Sequence, residues 1–445
     1  MQFLSTTLSG QSLIQLLNSF KIYFELSVLR LFAFGFAAGL PIMLVFSSLS
    51  FWLREAGAAR SSIGFFSWVT LAYAMKWIWA PAVDKVKIPV LSRLLGRRKS
   101  WLFLTQIFLV ASIAAMALTD PKQNLYAMAL AAVAVAFFSA TQDVVIDAFR
   151  IESGDDRQQA AMAAAYMIGY RLAMIVATAG VLYITALFEV SANYDYSAWQ
   201  SSYLIMSGIM ALLIAFTVSA PEPIEYKNEI ASSSHQSILQ KVKSAFVNPV
   251  IDLIVRYKSH AILLIILIAT YRISDIVMGV MANVFYVDMG YTKQEIAAIS
   301  KIFGVVMTLV GAFVCGGLIN RFGILPILLT GAILSALTNL LFVMLSKSSH
   351  NLELLTLVIS IDNLSAGIAM AALIAFLSSL TNKEFTATQY AWLSSAMLLL
   401  PKSLGGFSGV WLEKLGYSQF FTMTACIGIP AIIALLVLMK KKWHA

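Results

Sequence analysis

Apolar runs of about twenty residues alternate along the chain with short polar breaks, and each run is long enough to cross a bilayer as a helix. The pattern predicts spans over 28–53, 62–83, 100–119, 124–149, 158–187 and 200–220. After a polar stretch it predicts six more, over 260–287, 294–318, 324–346, 351–380, 386–411 and 418–439. The expected fold class is an all-α integral membrane protein with twelve transmembrane helices in two six-helix halves. Its parts are a cytoplasmic N-terminal segment (1–27), a first bundle (28–220), a cytoplasmic linker (221–258), a second bundle (259–439) and a basic tail (440–445).

Composition agrees with the pattern. Hydrophobic residues make up 60% of the chain and charged residues 12%, against about a quarter charged in soluble proteins. The net charge of +9 lies mainly in the loops, so it reads as the positive-inside signal of a multi-pass chain, not as a nucleic-acid surface. Lysines and arginines concentrate on one side when both termini are cytoplasmic. Cys315 and Cys426 each sit in an apolar run and read as packing residues. Residues 1–27 lack the apolar core and cleavage site of a signal peptide. No phosphate-binding G-x-x-x-x-G-K-[ST] motif, nucleophile–base pair or metal-ligand spacing occurs, so neither an enzyme nor a cofactor is expected.

The halves resemble each other. FWLREAGAARSSIGFF (51–66) and FYVDMGYTKQEIAAIS (285–300) each end one span, turn at a glycine and begin the next. Weak internal symmetry of this kind marks transporters that bind substrate between their halves.

Nine ionisable residues fall within or near predicted spans: Lys76, Asp143, Asp147, Arg171, Arg272, Asp275, Lys301, Asp362 and Lys402. Each costs about 2.5–3.5 kcal/mol at a helix centre, so they face water, pair with one another or lie near the interface. Lys76, Arg171 and Arg272 bring positive charge to the midplane and suit a small anionic substrate. Tyr73, Trp77, Trp79, Tyr166, Tyr170 and Tyr271 offer faces for sugar rings, although packing alone also accounts for such rings. Arg272 and Asp275 are i, i+3 neighbours able to neutralise each other. Lys301 and Lys402 are expected in the outer half with their stems snorkelling.

No histidine is mid-span, so a proton would ride on a carboxylate: Asp143 or Asp275, with Asp362 in reserve. Asp143, Asp147 and Arg150 share one helix stripe, with Asp143 about 10 Å deeper than Arg150. This depth splits the stripe into a gate below (Asp147 with Arg150, joined by Asp84) and a coupling site above (Asp143, with Gln142 as a neutral contact).

The segments LFAFGFAAGLPIML (31–44), IGFFSWVTLAYAMKWIWAPAVDKV (63–86), LGRRKSW (95–101) and SATQDVVIDAFRIE (139–152) resemble the AmpG-type muropeptide permeases of the major facilitator superfamily. The second half adds GYTKQEIAAISKIFG (290–304). This resemblance implies proton-coupled import of anhydro-muropeptides across a bacterial inner membrane by a monomer. In the superfamily, helices one, four, seven and ten line the cavity. That places Gly35, Gly39 and Pro41, then Gln142 and Asp143, then Arg272 and Asp275, then Asp362 and Asn363 around it. Asp84 with Arg97 and Arg98 resembles the superfamily's charged latch, though at an unusual spacing, and positive-inside charge also accounts for the arginines. Acetyl-CoA transporters share the "QD…D" helix end, so another anionic substrate stays open. So does a non-transporting subunit of a proton-translocating complex.

Overall fold

A computed structural model describes residues 25–80, 83, 86–153, 156–190, 194–223, 248–380 and 386–441. Twelve spans, numbered α1–α12 here, run through them. They are α1 Leu26–Glu55, α2 at 60–78, α3 Arg97–Ala117, α4 Leu125–Glu152, α5 at 156–188 and α6 Tyr196–Ser219. The second six are α7 Ala261–Asp288, α8 Lys293–Phe322, α9 Ile324–Ser346, α10 Leu352–Leu380, α11 at 386–415 and α12 at 417–440. Large apolar side chains such as Leu187, Leu212 and Phe313 project outward, 83%, 73% and 86% exposed, as lipid-facing residues do.

By length and hydropathy, ten helical stretches among the described residues are able to cross a membrane. The difference from twelve is local. The second span is broken by 3-10 turns at Ser67–Thr70 and Lys76–Ile78. In the last stretch, Gly416 (φ 73°) reverses the chain between α11 and α12.

Glycines in the left-handed region mark related turns of the two halves: Gly57 (φ 86°) with Gly290 (φ 78°), and Gly96 (φ 93°) with Gly323 (φ 84°). An even number of spans leaves both chain ends on one face, called terminal here; the opposite face is distal.

Helix contacts depend on missing side chains. A Cβ on Gly35 would lie 2.0 Å from the Tyr166 carbonyl oxygen, and one on Gly169 would lie 2.0 Å from that of Phe32, so α1 and α5 touch backbone to backbone. Gly311 and Gly367 do the same for α8 and α10. Pro41 lacks the N–H that would bond the Ala37 carbonyl, and the Gln142 side-chain amide donates to that oxygen at 2.8 Å. A polar residue of α4 thus repairs a defect in α1.

Gly35→Val is expected to destabilise the detergent-solubilised protein by about 3 kcal/mol, because a backbone carbonyl cannot give way. Gly208→Ala, whose Cβ meets nothing within 4 Å, should leave the melting temperature unchanged or higher. Thermal unfolding of the two variants checks this.

Candidate functional site

Charged and aromatic side chains of α2, α4 and α5 converge within the first half. Asp143 projects from α4 with Oδ1 buried and without a hydrogen bond in this structure. Lys76 and Asp147 act on it electrostatically, and it acts in turn on Tyr73, Tyr166 and Tyr170. The buried hydroxyls of Tyr73 and Ser139 adjoin each other beside it, Ser139 lying one turn from Asp143 on the same helix face. Buried polar atoms are almost always paired, so an unpaired carboxylate oxygen beside these hydroxyls marks a place built for something other than packing. Ser139 was not foreseen, because a serine in an apolar helix ordinarily bonds its own backbone. Arg171 of α5 has a buried, unpartnered Nε, and its Nη1 is 3.7 Å from Met174 Sδ. Its charge bears on Tyr170.

The second half has its own charged group. Arg272 falls where α7 loses helical geometry (φ −96°, ψ 5°), and its Nε is 3.3 Å from Asp275 Oδ2. The N–H is not aimed at that oxygen, so this is charge pairing without a hydrogen bond. Arg272 Nη1 is 2.7 Å from Met370 Sδ on α10. Asp275 and Thr338 act on Asp362 of α10.

Three residues expected at the cavity also brace the helices. Tyr271 is 3% exposed and donates to the Leu328 carbonyl at 3.0 Å, with its hydroxyl against Gly331. Asn363 ties α10 to α8 by accepting from Thr308 at 3.1 Å, and its amide donates to the Ile359 carbonyl at 3.0 Å. The amide of Gln142 is committed to Ala37. A helix stripe shows which residues share a face but not which neighbour that face meets.

The residues expected to gate the terminal face are described only in part. Arg98 donates to Glu152 at 2.6 and 3.0 Å, and Arg97 lies 3.7 Å from the same carboxylate. Glu222 accepts from the backbone N–H groups of Arg98 and Lys99, at 2.6 and 3.0 Å, capping α3. These bonds tie α3, α4 and the end of α6 together inside one half. Asp84, the third expected member of the gate, lies outside the described residues.

Among the described residues, the polar bonds between the halves lie mainly toward the distal face. Asp288, at the end of α7, accepts from Arg54 at 2.5 Å, from Arg60 at 2.6 and 3.0 Å, and from the Tyr417 hydroxyl at 2.5 Å. Lys293, at the start of α8, donates to Glu189 and pairs with Glu55, each at 2.8 Å. Deeper in, Asn283 of α7 donates to the Ser47 carbonyl (3.0 Å) and the Ser50 hydroxyl (2.9 Å) of α1. Gly64 and Gly409 let α2 and α11 meet at backbone distance.

Lys301 and Lys402 belong to this seam and do not snorkel. Lys301 donates to Asn283 Oδ1 at 2.6 Å, and Lys402 to the Thr70 carbonyl at 2.9 Å. In the sequence the distal pairs look like ordinary loop charge. Their one sequence signal is that the two related glycine turns carry complementary charges, Arg54, Glu55 and Arg60 on one and Asp288 and Lys293 on the other.

The Major Facilitator Superfamily model matches residues 31–309 and 263–443. A transporter designated AmpG 4 from Rickettsia felis is 32% identical over 421 residues, 95% of this chain and 98% of that protein. The anhydromuropeptide permease of Escherichia coli K12 is 32% identical over 404 residues, 91% of this chain and 78% of that protein. Among solved structures, the nucleoside transporter NupG superposes with a TM-score of 0.67 at 15% identity, covering 93% of this chain and 99% of that one. A D-xylose–proton symporter gives 0.66 at 12% identity, over 93% and 96%. The last two establish fold alone.

Asp288→Ala should separate the distal ends of the halves, since each charged hydrogen bond lost is worth about 1.5–3 kcal/mol. Even about 2 kcal/mol shifts a two-state equilibrium roughly 30-fold. Spin labels at Val190 and Ser349, on distal loops of opposite halves, should report a longer distance in the variant. An unchanged distance distribution would mean that this cluster does not hold the face closed.

Proposed function

The chain belongs to the AmpG-type permeases of the major facilitator superfamily, and from that premise we propose that it imports anionic anhydro-muropeptides together with protons across a bacterial inner membrane. It is a multi-pass membrane protein of a transporter family, not of an enzyme family. The positive-inside distribution supports cytoplasmic termini, which makes the distal face external. Among the described residues the bonds between the halves then lie mainly on the outer side, in keeping with a state closed to the outside. A monomer suffices for this mechanism, because both halves come from one chain.

The observation that carries the reading is Asp143. It is a carboxylate with an unpartnered oxygen, deep in an apolar helix, beside Lys76 and three tyrosines. As the halves rock, the distance between Asp143 and a cation changes, and with it the energy of holding a proton. Asp275 beside Arg272 is the corresponding pair in the second half, and Asp362 adjoins it. Lys76, Arg171 and Arg272 supply charge for the acids of a muropeptide, and Tyr73 and Tyr170 supply faces for its sugars.

Proteoliposomes given labelled anhydro-muropeptide and an inward proton gradient should accumulate it, and a protonophore should abolish the accumulation. Uptake of acetyl-CoA in its place would assign the other anionic substrate. Asp143→Asn should remove accumulation and spare counterflow exchange; a variant that still concentrates substrate excludes Asp143 as the coupling group. Arg171→Ala should raise the KM for uptake by about tenfold, the loss of one charged hydrogen bond. An unchanged KM would remove Arg171 from the binding site.

A further inference from the structure

Lys402 stands apart from the distal ion pairs of the seam. It lies on α11 next to Pro401, about 20 Å along the helix from its distal end, near mid-membrane. Its amine reaches into the opposite half. It donates to the Thr70 carbonyl at 2.9 Å, where α2 is broken by its 3-10 turn, and stands 5.7 Å over the Tyr73 ring. No carboxylate pairs with it among the described residues. Lys293, also at the seam, has two. A buried ammonium held only by neutral oxygen and a ring face is poorly compensated, and an anion is what would complete its surroundings.

The position specifies where that anion sits. Tyr73 belongs to the Asp143 group, and Lys76 follows it three residues on along α2. Lys402 therefore reaches the Asp143 group from the second half, and Lys76, which acts on Asp143, belongs to the first. α11 is fixed at this level by the Trp68 indole, which donates to the Ser403 carbonyl at 2.9 Å. We infer that Lys402 is a substrate-binding residue that takes a carboxylate of the transported anion between α2 and α11, exchanging the Thr70 carbonyl for it. The ligand's acid then bridges cations of both halves, so that binding and closure of the seam become one event. The inference rests on the proposed muropeptide substrate.

Titration of the full-length protein in nanodiscs with an anhydro-muropeptide, and with the same compound amidated at its carboxyl groups, tests it. Lys402→Gln should weaken the acidic ligand by about tenfold or more and change the amidated one by less than about twofold. Lys402→Arg should keep the preference for the acid. If Lys402→Gln does not fold, Lys402→Met, apolar and similar in length, reads the same ratio. An equal loss for both ligands, or no loss for either, overturns the inference and leaves Lys402 as a seam residue. If the wild-type protein fails to bind the acidic muropeptide at all, the proposed substrate falls, and this inference falls with it.

Discussion

The Asp288 carboxylate takes donors from three spans, and where it sits determines which side of the molecule is closed. Arg54 comes from α1, Arg60 from α2 and Tyr417 from α12, so one acid at the end of α7 holds both halves. The site is only partly dry: the side chain of Asp288 is 11% exposed and those of the arginines 24% and 30%. Pairs in such surroundings keep more of their attraction than surface pairs and escape much of the cost of full burial. Lys293 with Glu55 and Glu189 repeats the device at α8, α1 and α5. At the terminal face, by contrast, the described bonds of Glu152 and Glu222 brace one half internally. A latch on one side and braces on the other are what rocking halves require.

Irregular backbone gathers along the same seam. α1 has a π turn at Leu44–Ser48, α5 one at Val176–Gly180 and α8 one at Ala297–Phe303. The first two are bonded directly, Ser48 donating to the Ala177 carbonyl at 2.5 Å. Each turn widens its helix where halves or neighbouring spans meet, and π turns are frequent at functional sites for this reason. The 3-10 turns of α2 and the break at Arg272 of α7 add bends near mid-membrane, beside Lys402 and Asp275. Bending thus concentrates where the proposed ligand and proton sites lie.

Much of this was legible in the sequence, for physical reasons. Spans are legible because hydrocarbon tolerates only long apolar helices, and α9 occupies the predicted 324–346. The paired glycine turns are legible because only glycine adopts that backbone cheaply. Asp143 stands out because an acid in an apolar run needs a reason. The break of α2 was not legible, since WVTLAYAMKWIW (68–79) carries no proline or glycine to announce it. Nor were the bracing roles of Gln142, Tyr271 and Asn363, which depend on neighbours far along the chain. The distal latch joins residues 228 and 234 positions apart, a separation no local pattern encodes.

Proton coupling is the central claim, and it can be observed without an imposed gradient. The internal pH of proteoliposomes, read by an entrapped dye as anhydro-muropeptide is added outside, tests it most directly. The account predicts acidification that follows substrate entry, is absent for a ligand the protein does not carry, and disappears in Asp143→Asn. Substrate entry with an unchanged internal pH would contradict it.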